Sequence, residues 1–595
     1  MQKTAEINWD LTELHSTLSI DETQPILDQI KQDVMAFSAT YKGTIATLDS
    51  SGVFDALVAY DDLRARMYKL SQFAHLNYAV DLKDDQILGF VAKLDEFISL
   101  MGNELLFFFL EIGQVNQPKL DEWLADEKNT PYAYTLTQAV KKNKFRLTET
   151  EEQLINIKDL NGCDALRKLY AEHTAQYEFK MMVDGEEKVM NGSECRALRY
   201  HSDPEVRRKA MALFFTTYSG DQHIMVQLFN AIIKDYNMER QQRGYERPMD
   251  IMNTHNDLPN DLVQLLHDVT TDSNTIVQEY YQLKKSLLGL DEITLADIYA
   301  PVATDQTKVE WADAKALVLD SFQQFDSEFY EFAKDMFDSN RLDVFPSKVK
   351  RGGAFCSSSS PDVRPYVMLN YLGKQRDVST LAHELGHAIH AYYSAGQPLI
   401  NYHAILPVCE TASVFCEMLV IDALKKKATT REQKISLLTN QLEDIFATSH
   451  RQNMFSRFEQ QVHEKITAGR LSGNELSDIY AKELNLMFGD SVKIPEEYHW
   501  EWSTIPHMLD VPFYVYSYNF GNLLVFGLYQ LYLDEGQAMI PKLKRILSKG
   551  SSQSPVDILA AEGIDILAPE FWQRSIALIQ SVCDELKALI HQPNG

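Results

Sequence analysis

A mainly α-helical fold is what this sequence predicts, and three observations predict it. Apolar residues recur at threes and fours over seven long segments: 53–80, 85–113, 205–241, 261–288, 309–337, 430–470 and 571–591. Glycine and proline are few within those segments. Strand signals are confined to two short places, each bounded by turn residues. With 595 residues, 45% of them hydrophobic and 24% charged, the chain has the make-up of an ordinary globular protein of several domains.

Taken in order, the chain opens on Met-Gln-Lys-Thr-Ala-Glu-Ile-Asn-Trp-Asp, which has no apolar stretch, so no signal peptide is expected. The longest apolar clusters, such as Leu105–Leu110, are too short to span a bilayer. Thr148 followed by Glu151 reads as a capping box that opens a helix around 149–158. Lys180–Val189 holds Asp184-Gly185, the turn of a hairpin. Asn191-Gly-Ser fits a glycosylation sequon, silent without a secretory route. Asn253–Asn260 reads as a polar connector. Gly352–Cys356 and Pro365–Tyr371, parted by a Ser/Pro/Asp turn, read as a small sheet.

Residues 383–387 are His-Glu-Leu-Gly-His, in a segment of helical composition. Four residues is slightly more than one helical turn, so His383 and His387 share a face and can ligate one zinc ion. Glu384 then stands beside the metal, placed to take a proton from the ion's water. The competing reading is a solvated helix face that carries two histidines. Residues 410–417 speak against it. Glu410, Ser413 and Glu417 recur at i, i+3 and i+7. Glu410 is the expected third ligand and Glu417 a carboxylate that orients a ligand histidine. His390 lies off the ligand face and is expected in a supporting or core position. The small sheet just before the motif offers an edge to which a peptide can add as a strand, with Gly352 and Gly353 as candidate substrate contacts. A plain structural hairpin is the alternative there.

Acidic residues outnumber basic ones, 85 to 57, for a net charge of −28. That excludes the basic footprint of a nucleic-acid binder and disfavours anionic membranes. The acidity is attributed to solubility. The six cysteines, Cys163, Cys195, Cys356, Cys409, Cys416 and Cys583, form no CxxC pair, which points to reduced thiols in a cytoplasmic protein. Cys409 and Cys416 are expected as small buried thiols.

The run Thr380–His390, with Glu410, Ser413 and Glu417, resembles the thimet-oligopeptidase-like zinc peptidases, nearest to their oligoendopeptidase F branch. Further stretches resemble that family in order along nearly the whole chain: Trp9-Asp-Leu, Leu147–Glu152, Asp297–Pro301, Arg457-Phe-Glu459, Ile505–Tyr518, Gly550–Leu559 and Phe571-Trp572. The resemblance implies a two-lobed helical zincin-type body, with a small sheet next to the zinc helix and a deep central channel. It implies an N-terminal helical region over 1–110, a helical lid-like domain over 111–195 and a catalytic domain over 196–595. By the same resemblance His383, His387 and Glu410 ligate one Zn2+ per chain and Glu384 is the general base. It also implies that His507 and one or two of Tyr514, Tyr516 and Tyr518 contact the substrate carbonyl and its developing oxyanion; Tyr514 and Tyr518, which share a helix face, are favoured. Tyr516 is a further candidate substrate contact, although on a helix it faces away from the other two. An aromatic core stripe is the competing reading of the three tyrosines.

The expected function is therefore that of a cytoplasmic zinc endopeptidase acting on short peptides, with neither nucleic acid nor membrane as partner. The affinity order leaves Mn or Co open as substitutes for zinc. Two alternatives stand beside it: a zinc dipeptidyl-carboxypeptidase and an inactive helical scaffold that binds peptides.

Overall fold

A computed structural model of the chain describes residues 7–302 and 308–591, so the first six residues of the stretch read for a leader lie outside it. Helices form where the periodicity places them, but five of the seven segments are each two helices. They are Asp85–Leu105 with Phe107–Gly113, Pro204–Gly220 with Gln222–Gln242, Asn260–Asp272 with Asn274–Leu287, Trp311–Phe325 with Ser327–Asp338, and Arg431–Thr448 with His450–Lys465. Four of the five breaks fall at Asp221, Ser273, Asp326 and Ser449. Short polar side chains of this kind compete for backbone hydrogen bonds. Asp326 caps the second helix of its pair, accepting from the Glu328 and Phe329 N–H groups. The apolar period runs on across each break because both helices bury a face. Among the described residues no single helix is long and apolar enough to cross a membrane.

The local expectations are mostly met. Thr148 and Glu151 form the capping box of Glu149–Leu160. Strands β1, Phe179–Val183, and β2, Glu186–Met190, pair antiparallel, and Asp184 and Gly185 both take positive φ, 53° and 85°, as a tight hairpin turn requires. The 253–260 connector is shorter than expected, because Asn253, Thr254 and His255 end the short helix Asp250–His255. A second sheet holds β3, Leu342–Asp343, β4, Phe355–Ser357, and β5, Tyr366–Met368. Its order is β3-β5-β4, with β5 parallel to β3 and antiparallel to β4, and Cys356 opposite Val367. One side of β4 therefore has no strand partner among the described residues.

The chain divides into two compact units. The first is Met1–Lys144, Gln306–Lys427 and Leu531–Ile564; the second is Phe145–Asp305, Ala428–Gln530 and Asp565–Gly595. Neither is a consecutive stretch, so the units do not coincide with the regions 1–110, 111–195 and 196–595. In the first unit the core of Leu27, Ile30, Phe37, Leu57, Phe90, Phe108 and Trp123 reaches Tyr366 of β5. Trp9 meets Tyr366 edge-on, ring centres 6.2 Å apart. Lys544 brings in the third segment by pairing with Asp326 and Glu328, 2.8 Å each. In the second unit Phe229, Phe458, Tyr480 and Trp502 lie in the core. Arg207 is buried on Asp297 at 2.8 Å, a partnered charge of the kind an interior tolerates.

Candidate active site

The helix Gln375–Ser394 starts cleanly because Asp377 accepts the Leu372 and Lys374 N–H groups. One helical turn separates His383 from His387, and their rings lie 4.9 Å apart, nearly perpendicular. The helix packs on Thr411–Lys427, with Gly386 at the closest approach. A Cβ there would sit 2.5 Å from Ser413 Cα and 2.6 Å from the Ala412 oxygen. No residue but glycine fits that contact. The absence of a side chain at Gly386 lets the two helices approach closely enough to set Glu410, just ahead of the second helix, by the two histidines.

Glu410 Oε2 lies 3.4 Å from His383 Nε2 and 3.4 Å from His387 Nε2. Donor atoms of the three residues all fall within 4.8 Å of one another. Zinc bonds of about 2.0–2.2 Å in tetrahedral geometry set donors about 3.3–3.5 Å apart. The two N···O separations match, and two imidazoles with one carboxylate make a donor set that suits zinc. Ser413 donates to Glu410 Oε2 at 2.7 Å, and His383 Nδ1 donates to Glu417 Oε2 at 3.3 Å. The second contact fixes the tautomer that leaves Nε2 free for a metal. Burial opposes charge on His383, but the Glu410 and Glu417 carboxylates outweigh it and lift the imidazole to about 10. Burial lowers His387 to about 4. Burial also disfavours the Glu410 carboxylate, yet His383 and His387 beside it hold it at about 2.

Glu384 is nearly inaccessible, 7% exposed. It lies by Cys356 of edge strand β4, and burial pushes its carboxyl up to about 7, against the pull of His383. Helix, β4 and the 402–409 connector enclose a cavity of about 390 Å³, onto which His383, Glu384, His387, His390, Tyr402 and His403 open. Gly352 and Gly353 lie exposed ahead of β4, Gly353 at φ 85°, and do not line this cavity. Cys416 is buried as expected. Cys409 is not: it lines the cavity, its thiol donating to the Leu406 oxygen at 3.1 Å. Sequence reasoning missed Cys356, Tyr402 and His403 as site neighbours. The one available signal was their place in the strand and connector that flank the two ligand segments.

In the second unit His507 is exposed and Tyr514 and Tyr518 are half-buried. Their rings cluster: His507 lies parallel to Tyr514 at 6.3 Å, and Tyr514 meets Tyr518 edge-on at 5.1 Å. Tyr516 corrects an expectation. It has no exposed surface, and Asn256 donates to its hydroxyl at 2.9 Å in the core, so it is a packing residue and not a peptide contact. Just before Tyr514 the backbone is strained. Phe513 has φ 63°, a left-handed conformation worth on the order of 1–3 kcal/mol of strain for a bulky residue.

Residues 197–578 match Peptidase family M3, well over half of the chain. The chain belongs to peptidase family M3. Residues 111–179 of this M3 peptidase match a second family description, Oligopeptidase F. Oligopeptidase PepF of Bacillus subtilis is 26% identical over 98% of this chain and 88% of its own. The Lactococcus lactis oligoendopeptidase F homolog is 23% identical over 99% and 98%. A crystal structure from Chlamydophila abortus matches with a TM-score of 0.87 at 23% identity, covering 99% of both chains. That of oligoendopeptidase F from Enterococcus faecium gives 0.72 at 20%, covering 96% of this chain and 99% of that one. Like other M3 chains this one is a hydrolase of peptide bonds, and its His383, His387 and Glu410 form a set able to hold a metal ion.

Proposed function

We propose that this chain is a zinc-dependent endopeptidase that hydrolyses internal bonds of short, unstructured oligopeptides. The observation that carries the reading is the convergence of His383, His387 and Glu410, with His383, His387 and buried Glu384 lining a cavity bordered by a strand with an open edge. His383, His387 and Glu410 hold the ion. When bound, zinc supplies a Lewis acid that polarises the scissile carbonyl and acidifies a water.

The chain's own groups do the rest. Glu417 keeps the His383 ring turned toward the ion through Nδ1. Glu384 takes a proton from the attacking water and passes it to the leaving amine nitrogen, a role for which a buried carboxyl that ionises near neutrality is suited. The free edge of β4 pairs with extended substrate backbone. His507, Tyr514 and Tyr518 present ring donors that can stabilise a carbonyl oxygen as charge develops on it. All six cysteines are free thiols, which supports a cytoplasmic setting.

The test is mass spectrometry of the products from a mixed peptide library that includes end-blocked peptides, with and without chelator. Internal fragments from end-blocked peptides, abolished by chelator and restored by zinc, are expected. Release of C-terminal dipeptides alone overturns the endopeptidase reading, and cleavage indifferent to chelator overturns the zinc reading.

A further inference from the structure

Four non-glycine residues take positive φ among the described residues: Asp184, Asp257, Asn340 and Phe513. Asp and Asn tolerate that region; phenylalanine does not. Phe513 is held there from two sides. Its ring is fully buried, 4.5 Å from His463 and 6.0 Å from Tyr236. Its backbone N–H donates to Glu459 Oε1 at 2.9 Å. Glu459, on the helix His450–Lys465, is 2% exposed, and its Oε2 has no hydrogen-bond partner among the described residues. A buried carboxyl with one partner is a costly core filler where methionine would pack as well. The group it binds is the backbone unit whose direction decides where Tyr514 goes. Just beyond it, the Tyr514 N–H bonds the Val511 oxygen at 3.1 Å, the Ser517 N–H bonds the Tyr514 oxygen at 3.1 Å, and the helix bearing Tyr518 begins at Tyr516.

We propose that Glu459 is the positioning residue of the His507–Tyr514–Tyr518 cluster: its carboxyl locks Phe513 in the left-handed turn and so keeps Tyr514 in place against His507 and Tyr518. The proposal rests on the reading of this cluster as a substrate contact. Without the acceptor, the Phe513 N–H is buried unpaired, the turn relaxes toward negative φ, and the Tyr514 ring leaves its partners.

Steady-state kinetics on an unstructured peptide test this, with zinc content and melting temperature measured on each variant. Glu459→Met, of similar size but with no carboxyl, should lower kcat about tenfold or more with zinc content unchanged and KM moved less. Glu459→Gln, whose amide oxygen still accepts from Phe513, should stay within about threefold of the unaltered chain. Added to Tyr514→Phe/Tyr518→Phe, Glu459→Met should cost less than about twofold more, whereas a merely structural role would multiply the two losses. Should Glu459→Met fail to fold, Glu459→Asp, which withdraws the carboxyl by one methylene, is read by the same criteria. Full kcat in the Met or Asp variant, an equal loss in Gln and Met, or multiplicative losses overturn the proposal. Full activity of Tyr514→Phe/Tyr518→Phe overturns instead the substrate-contact reading, and the proposal with it.

Discussion

Four charged or chargeable groups crowd within one helical turn of His383, and their roles separate on substitution. Glu384→Gln keeps the shape but loses the base, so turnover should vanish while zinc, measured by atomic absorption, stays near one per chain. Loss of the metal along with activity would make Glu384 a ligand. Glu410→Ala should strip the ion, because two histidines leave it under-coordinated, while Glu417→Ala should weaken affinity or activity on the order of 10–100-fold. The reverse ranking in a chelator titration would exchange the two roles. At this scale the pairing of His383 with His387 was legible because helical geometry is local, and the i, i+3, i+7 spacing pointed to Glu410, Ser413 and Glu417, although Glu410 stands just ahead of the helix. That Cys356 borders the same cavity as Glu384 was not legible, since it depends on where β4 comes to rest. Tyr516 misled because an aromatic run does not say which ring the core takes.

Helix pairs and their crossings set what the residues can do. Gly386→Ala must push the ligand helix off Thr411–Lys427, since its Cβ would overlap Ser413 Cα at 2.5 Å. Overpacking of this kind costs roughly 1–3 kcal/mol. The melting temperature should fall, and zinc affinity should fall with it; an unchanged affinity would show that the crossing does not place Glu410. Farther along, helix Ser50–Val80 carries Asp61, which accepts the Tyr132 hydroxyl at 3.2 Å. Burial pushes its carboxyl up to about 6. A folded-state pKa above the unfolded one means this group's stability contribution is present below the unfolded value of 3.8 and is lost as pH rises from there to about 6. Asp61→Asn should therefore raise stability at pH 8 by on the order of 1–2 kcal/mol and change it little at about pH 3, below both values. Equal effects at both pH values in denaturant titrations would disprove a titration origin. The element types were legible from apolar periodicity, but five breaks were not, because periodicity reports burial and both helices of a pair are buried.

At the scale of the whole molecule, substrate form should decide reactivity. Only extended backbone can pair with the edge of β4, and a folded protein must unfold locally, at a cost of several kcal/mol, to offer it. A short peptide should be cut at internal bonds while the same sequence in a surface loop of a stable domain survives; comparable rates would point to a site open to folded proteins. The family's compass was legible from motifs spread along the chain. The two compact units were not, because a sequence read in order suggests consecutive regions, whereas each unit gathers three separated segments. That interleaving has a consequence for synthesis. A ribosome that has released everything up to Gln530 has made all three candidate metal ligands, yet the first unit still lacks Leu531–Ile564, with the Lys544 that pairs to Asp326 and Glu328, and the second still lacks its last helix, Pro569–His591. Neither unit can close during most of translation, so the nascent chain depends on chaperones longer than one built of consecutive domains, and a product truncated before Leu531 yields two unfinished units and no half-sized enzyme.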